Sequence, residues 1–411
     1  VSAIDAYRAV APPHAVDIIL RLAERVRGRR FLHLSGGRLG GGSAEILRAA
    51  VPLLNDLEIE TNWEVTGGDP TYFAAVQALQ SAMQGVERVL TDERLDHYLE
   101  LNRVTAKKLS LDADVILAHD VQPASLVASR SQGHWVWRCH FDCSHPQPAA
   151  WSFFRKIGEQ FDAAIFSLPS FTARLGIPRY IVAPSIDPLS EKNRELGMGE
   201  VTSVLHELGV DRDKPLLVQV SPFTRDHHPI DAVNVYRLVK RHHDVRLVLA
   251  GTASDDRASA EVLADLREAA QHDPDIALLE LPPEAQRQIN ALQRAATIAF
   301  QTSVREDFGI GAAEAMWKGK PVIGAAVGGL TQLIVHDVTG YTVHSVEGAA
   351  FRIRHLFNNP ELIPRMGAAG REHVRRGFLI TRHLIDYLAL MIDLPSPRTS
   401  AAPDATPPPP A

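Results

Sequence analysis

Between the apolar runs "AATIAFQTS" and "PVIGAAV", residues 295–303 and 321–327, the chain has room for one helix and two tight turns. Two buried strands joined through a helix form a parallel βαβ unit, whereas antiparallel neighbours need only a hairpin. From Gly309 the segment "GIGAAEAMWKG" reads as that helix, with Lys318 in its last turn and Gly319 as the left-handed stop before Lys320-Pro321. Ligands of parallel sheets sit beyond the C-terminal strand ends. The turn "EDFG", which opens with Glu306, stands at that end.

This turn feeds the N–H groups of Phe308, Gly309 and Ile310 into the helix, where free donors and the dipole favour an anion such as a phosphate. Glu314 follows roughly 8 Å further along, at 1.5 Å per residue. On a helix that is apolar nearly all round, a carboxylate is buried and needs donors, which paired sugar hydroxyls supply. Alternatively Glu314 faces outward and pairs with Lys318 four residues on. The residues alone leave both readings open.

The same alternation of apolar runs and helical stretches fills the chain. In the first half "RRFLHLS", "LEIETNWEV", "ADVILAH", "HWVWRC" and "FDAAIFS" read as strands; in the second, "LLVQV", "VRLVLAG" and the two runs above. With 411 residues, too many for one core, the expected architecture is α/β, two Rossmann-like doubly wound domains facing a cleft. The expected limits are 1–195 for an N-terminal domain and 196–375 for a C-terminal one. A C-terminal helix at 376–394 is expected to pack back on the N-terminal domain, and a Pro/Ala-rich tail at 395–411 to be disordered.

Composition removes several classes of function. With 43 Lys and Arg against 49 Asp and Glu, net charge −6, the chain offers no basic stripe for nucleic acid and no polybasic patch for a membrane. No run reaches the ~20 apolar residues of a membrane helix, and Asp17, Arg21 and Glu24 interrupt the first amphipathic stretch, which does not suit a signal peptide. Cys139 and Cys143, the whole cysteine complement, argue for a reducing compartment, so a cytoplasmic location is expected. A homo-oligomer stays open.

Other motifs place residues at the cleft. "GGRLGGGS" has Leu39 where the dinucleotide fingerprint needs Gly and lacks the lysine of a P-loop, yet Gly40, Gly41 and Gly42 before a helix allow close approach of a phosphate or sugar. His119 and Asp120 end a strand and point at the cleft. On "RCHFDCSH", strand alternation puts Arg138, His140 and Asp142 on one face and Trp137, Cys139 and Phe141 on the other. Its Cys-x3-Cys spacing is not that of a zinc site, and no metal is expected. Asp112 and Asp114 precede their strand, at the wrong end of the sheet, which makes them structural.

"REDFGIGAAEAMWKGKPVIG", with Glu306 and Glu314 and followed by "VGGLTQLIVHDVTGY", resembles the signature of the retaining GT-B glycosyltransferases of family four. "HDVQPASL", "WVWRCHFDCSHPQPAAWSFF", "PSIDPLSEKNREL" and "LPPEAQRQINALQRAA" are similar to the trehalose glycosyl-transferring synthases, and the likeness runs from about residue 30 to about residue 390. It implies transfer of glucose from a nucleotide-diphosphate glucose, a co-substrate rather than a cofactor, to glucose or a related acceptor. Glu314 would hold the ribose hydroxyls and Glu306 those of the transferred sugar, while Phe308, Gly309 and Ile310 and the loop Gly40 to Gly42 would face the diphosphate. His119, Asp120, Arg138, His140 and Asp142 would shape the sugar pocket. The chain departs from the family at Pro222 and His227, where Arg and Lys are usual, at Thr302, often Lys, and at Asp307, usually Gly. Arg225, Arg305, His227 and His228 are the candidates to replace those cations. If they do not, the alternative is a catalytically impaired sugar- or nucleotide-binding protein with a regulatory or partner role.

Overall fold

The structure, a computed structural model, describes residues 2–38, 41–252 and 257–394. The tail at 395–411 and Gly40 lie outside the described residues. The first sheet contains β1 (Arg30–Ser35), β2 (Glu60–Val65), β3 (Val115–His119), β4 (His134–Cys139), β5 (Ala163–Phe166) and β6 (Arg179–Ile181), all parallel, in the order β2-β1-β3-β4-β5-β6. The second contains β7 (Leu216–Val220), β8 (Arg246–Gly251), β9 (Ile276–Glu280), β10 (Ile298–Gln301), β11 (Val322–Ala325) and β12 (Gly340–Val343), also parallel, in the order β12-β11-β10-β7-β8-β9. The expected α/β architecture of two doubly wound sheets is what the chain adopts.

Each order reverses once, and a crevice opens where it does, outside the carboxyl ends of the strands. In the first sheet the reversal lies between β1 and β3; in the second, between β7 and β10. The chain leaves those four strands at Gly36, Asp120, Ser221 and Thr302. The positions that matter for function are therefore set by topology before any side chain is considered.

Strands β3 and β4 are buried along nearly their whole length, because helices cover both faces, and so read as continuous apolar runs. Strands β6, β9 and β12 sit at or beside sheet edges, are short or half-exposed, and were not apparent in the sequence. The helix Ile380–Asp393 crosses to the first sheet and buries Leu384, Tyr387, Leu388 and Met391 with Phe31 of β1 and Ile19 of the helix Ala15–Val26. The expected limit at 375/376 falls inside the helix Leu362–Gly377. No helix among the described residues is long and apolar enough to cross a membrane.

Candidate functional site

The helix of the βαβ unit runs Ile310–Trp317, with Gly309 at φ 90° as its cap and Gly319 at φ 73° beyond its end. The Glu306 carboxylate folds back onto the turn: Oε1 accepts the Gly309 N–H at 2.9 Å and Oε2 accepts the Ser303 hydroxyl at 3.0 Å. The Gly309 donor is thus taken by the protein, contrary to the expectation that it faces a ligand, and Phe308 and Ile310 flank it at the helix entrance. The turn is held from behind by Gly328 and Gly329. The Gly329 N–H donates to the Glu306 carbonyl at 2.9 Å, and a Cβ on Gly328, at φ 45°, would collide with that carbonyl oxygen. "VGGL" therefore has glycines where backbone meets backbone.

Of the candidate cations, the structure brings His227 to Glu306, and Arg305 acts on Asp307. His227 Nε2 lies 3.7 Å from Glu306 Oε2, and its Nδ1 lies 2.7 Å from the Thr224 hydroxyl. Thr302 fixes this loop, its hydroxyl donating toward the His228 carbonyl at 3.0 Å and Gln219 Oε1 at 3.1 Å. Arg225 is drawn away: its guanidinium pairs with Glu261 at 2.6 Å and is 70% exposed. His228, at φ 41°, is paired with Asp231 at 2.8 Å. Arg225 is thus turned away from Glu306 in the ligand-free protein, toward the surface carboxylate of Glu261.

On the first sheet Asp120 follows β3 at φ 62°, a left-handed conformation that Asp tolerates only at a cost. Its Oδ1 accepts the His140 N–H at 2.8 Å, and its carbonyl accepts the indole N–H of Trp137 at 2.9 Å. Behind it three imidazoles form a chain: His140 Nε2 lies 2.9 Å from His119 Nδ1, whose Nε2 lies 3.0 Å from His33 Nδ1. Burial pushes all three below the usual histidine range, His33 to about 3, so the chain is neutral near pH 7. Within it only His140 is not fully buried. His33 sits inside an apolar strand, where nothing in the sequence marks it.

Arg138 is corrected. It is 0% exposed and donates to the Val182 carbonyl at 2.8 Å, among Tyr387 and His383 of the crossing helix, so it braces the junction rather than lining an open pocket. Because β4 ends at Cys139, strand alternation does not extend to Asp142, whose Oδ1 instead accepts the Ser144 N–H and hydroxyl at 2.9 and 2.6 Å. Gly41 starts the helix Gly41–Asp56 at φ 75°, and open space surrounds Gly41 and Gly42. Asp114 and Asp112 pair with Arg30 at the opposite end of the sheet. The thiols of Cys139 and Cys143 are free, buried and 3.7 Å apart, and no group of three or more metal-ligating side chains forms among the described residues.

The two crevices meet at Asp307. Burial first, then Glu306 and Asp120, push its carboxyl up to about 7, with the Asp142 N–H opposing; burial alone raises Asp120 to about 6. Residues of both sheets thus act on one carboxyl, which places Asp120, Asp142, Glu306 and Asp307 around the same space.

Glu314 is 1% exposed, so it does not face outward. Lys318 is not its side-chain partner: the Lys318 ammonium donates to Asn193 Oδ1 and Gln293 Oε1, both at 2.8 Å, and touches only the Glu314 carbonyl, at 3.3 Å. Burial lowers Lys318 to about 7. The Glu314 carboxylate faces Lys192 instead, Nζ to Oε1 3.1 Å, an ion contact without a directional hydrogen bond to that oxygen. Lys192 also pairs with Glu45 at 2.9 Å. In sequence Lys192 is one charge in a polar connection, and nothing there marks it.

Residues 33–173 match the family model "Trehalose synthase, N-terminal domain", and residues 204–373 match "Glycosyl transferases group 1". The chain is 38% identical to the trehalose synthase of Pyrococcus horikoshii, over 95% of this chain and 96% of that one. It is 24% identical to the trehalose phosphorylase of Pleurotus pulmonarius, over 90% of this chain and 58% of that one. The solved structure "Trehalose-6-phosphate from E. coli bound with UDP-2-fluoro glucose" superposes with a TM-score of 0.70 at 13% identity, covering 90% of this chain and 100% of that one.

Proposed function

Since the chain belongs to the trehalose synthase family of group 1 glycosyltransferases, we propose that it moves glucose from a nucleotide-diphosphate glucose to glucose with retention, forming trehalose or a related α-linked disaccharide. The observation that carries this reading is the meeting of the two crevices: an anion-binding helix entrance beside Glu306 on one sheet and the Asp120–His140 pair on the other.

In this reading the diphosphate lies at the N–H groups of Phe308 and Ile310, with the Gly41–Gly42 loop opposite, and the helix dipole offsets the charge that builds on it. Glu306 retains lone pairs for hydroxyls of the transferred sugar. The bond from C1 to the phosphate oxygen breaks as the acceptor oxygen approaches on the same face, and the acceptor's proton passes to the departing phosphate. Asp120, Asp307 and His140 bind the hydroxyls of the two sugars and hold the acceptor at that face. His227 stands beside Glu306, its Nε2 3.7 Å from Oε2. The reaction needs no metal and no cofactor. The partners are the nucleotide sugar and a sugar acceptor, not nucleic acid, as a net charge of −6 favours, and the two free thiols suit the cytoplasm.

A second reading follows from Pro222 and the turned-away Arg225, which leave the leaving group with fewer cations. It describes a protein that binds the sugar or nucleotide but transfers slowly, in a regulatory or partner role. Incubation with glucose and each of UDP-, ADP-, GDP- and dTDP-glucose separates the two. Release of nucleoside diphosphate with a non-reducing disaccharide supports transfer; binding without release supports the second reading.

A further inference from the structure

A solvent-open pocket with a cavity volume of about 90 Å³ lies beside the junction, lined by Glu45 and Arg48 of one domain, Asp187, Ser190 and Lys192 of the connection, and Gln286 of the other domain. Glu314 is absent from its walls. The Lys192 ammonium stands between the pocket and that carboxylate, 3.1 Å from Glu314 Oε1 and 2.9 Å from Glu45 Oε1. Among the described residues, Glu314 Oε1 has the ion contact with Lys192 but no directional hydrogen bond, and Oε2 receives a long one from Gln293 Nε2, at 3.5 Å. A buried carboxylate left in that state is an acceptor awaiting donors.

We propose that Lys192 is a donor-binding residue, which covers Glu314 in the free protein and turns to the nucleotide when its ribose enters. The inference rests on the reading of the donor as a nucleotide sugar and deepens it. A ribose diol supplies the two O–H donors that Glu314 lacks, and an ammonium with three N–H groups donates to the ribose oxygens or the adjoining phosphate while keeping Glu45. The geometry also assigns Lys192 a second consequence. Glu45 belongs to the helix that starts at the glycine loop, and Glu314 to the helix whose entrance faces the diphosphate, so one cation touches both walls of the site and the connection between them. It adds a cation where Pro222 and Arg225 provide none.

A purely structural ion pair makes a different prediction, since such pairs contribute to stability without reading a ligand. Calorimetric titration with UDP, ADP, GDP and dTDP, on the wild type and on Lys192→Met, Lys192→Gln, Lys192→Arg and Glu314→Ala, separates them. For the nucleotide that the wild type binds, loss of the ammonium in the Met and Gln variants weakens affinity about tenfold or more, the weight of one charge-assisted hydrogen bond, and Arg recovers most of it. Wild-type or tighter affinity in either folded neutral variant, with binding lost in Glu314→Ala, overturns the role of Lys192 and leaves the donor reading standing. Wild-type affinity in Glu314→Ala, or no nucleotide bound by the wild type, overturns the donor reading itself and the inference with it. Melting temperatures of the free variants identify a neutral variant that does not fold, in which case the other one carries the comparison.

Discussion

His227 Nε2 faces Glu306 Oε2 at 3.7 Å, at a position where the family usually carries a lysine. It is the cationic candidate that the fold turns toward the carboxylate, and it is fixed from the other side by Thr224. His227→Ala is expected to lower kcat about tenfold to a hundredfold, somewhat less than loss of a dedicated oxyanion donor, because the helix entrance remains. His227→Lys is expected to recover most of the activity lost in the alanine variant. Steady-state rates across pH check both, and an alanine variant as fast as the wild type contradicts the role.

Arg225→Ala is expected to leave kcat/KM within about twofold, since Glu261 holds the guanidinium in solvent and exposed ion pairs contribute little. The same assay decides. A loss beyond tenfold would mean that the loop swings inward with the donor bound.

Asp307 makes stability depend on pH. Its carboxyl titrates near 7 in the folded protein against 3.8 for an ordinary aspartate, so between those values the folded state holds more protons than the unfolded one. Stability therefore falls as pH rises through that window. Full linkage of about three units corresponds to roughly 4 kcal/mol, and partial solvation of the site cuts the expected penalty to on the order of 2 kcal/mol. Asp307→Asn should flatten the decline between about pH 4 and pH 7, read as melting temperature. An unchanged slope contradicts the placement of this carboxyl.

Gly328→Ala drives a methyl into the Glu306 carbonyl at a left-handed backbone position. The variant is expected to lose about 1–3 kcal/mol of stability from strain, and kcat more steeply than KM, because the turn that positions Glu306 shifts. Thermal melts with kinetics test it, and equal kcat would show that the turn is set by other contacts.

Legibility in the sequence followed burial. Strands β3, β4, β7 and β10 are covered on both faces and stand out as apolar runs, whereas the edge strand β6, "RYI", has no pattern to read. The positions of Glu306, Asp120 and His140 were open to reading because strand ends and helix entrances fix where such residues go, whereas the residues alone left the orientation of Glu314 open and did not show that His119 is buried. Arg138 misled because alternation tells which face a side chain takes but not that a helix from residues 380–393 will cover that face. Lys192 and His33 could not be read at all. Their meaning comes from partners far away in the chain, Glu45 and Glu314 for one and His119 for the other.

The central claim is transfer of glucose with retained configuration. The measurement that tests it most directly is proton NMR of the anomeric region while the purified protein acts on glucose and the nucleotide-glucose it accepts. The account predicts that the first disaccharide signal to appear is the α-anomeric proton of a non-reducing product, growing in step with nucleoside diphosphate. A β-linked product, or free glucose and diphosphate with no disaccharide, contradicts it.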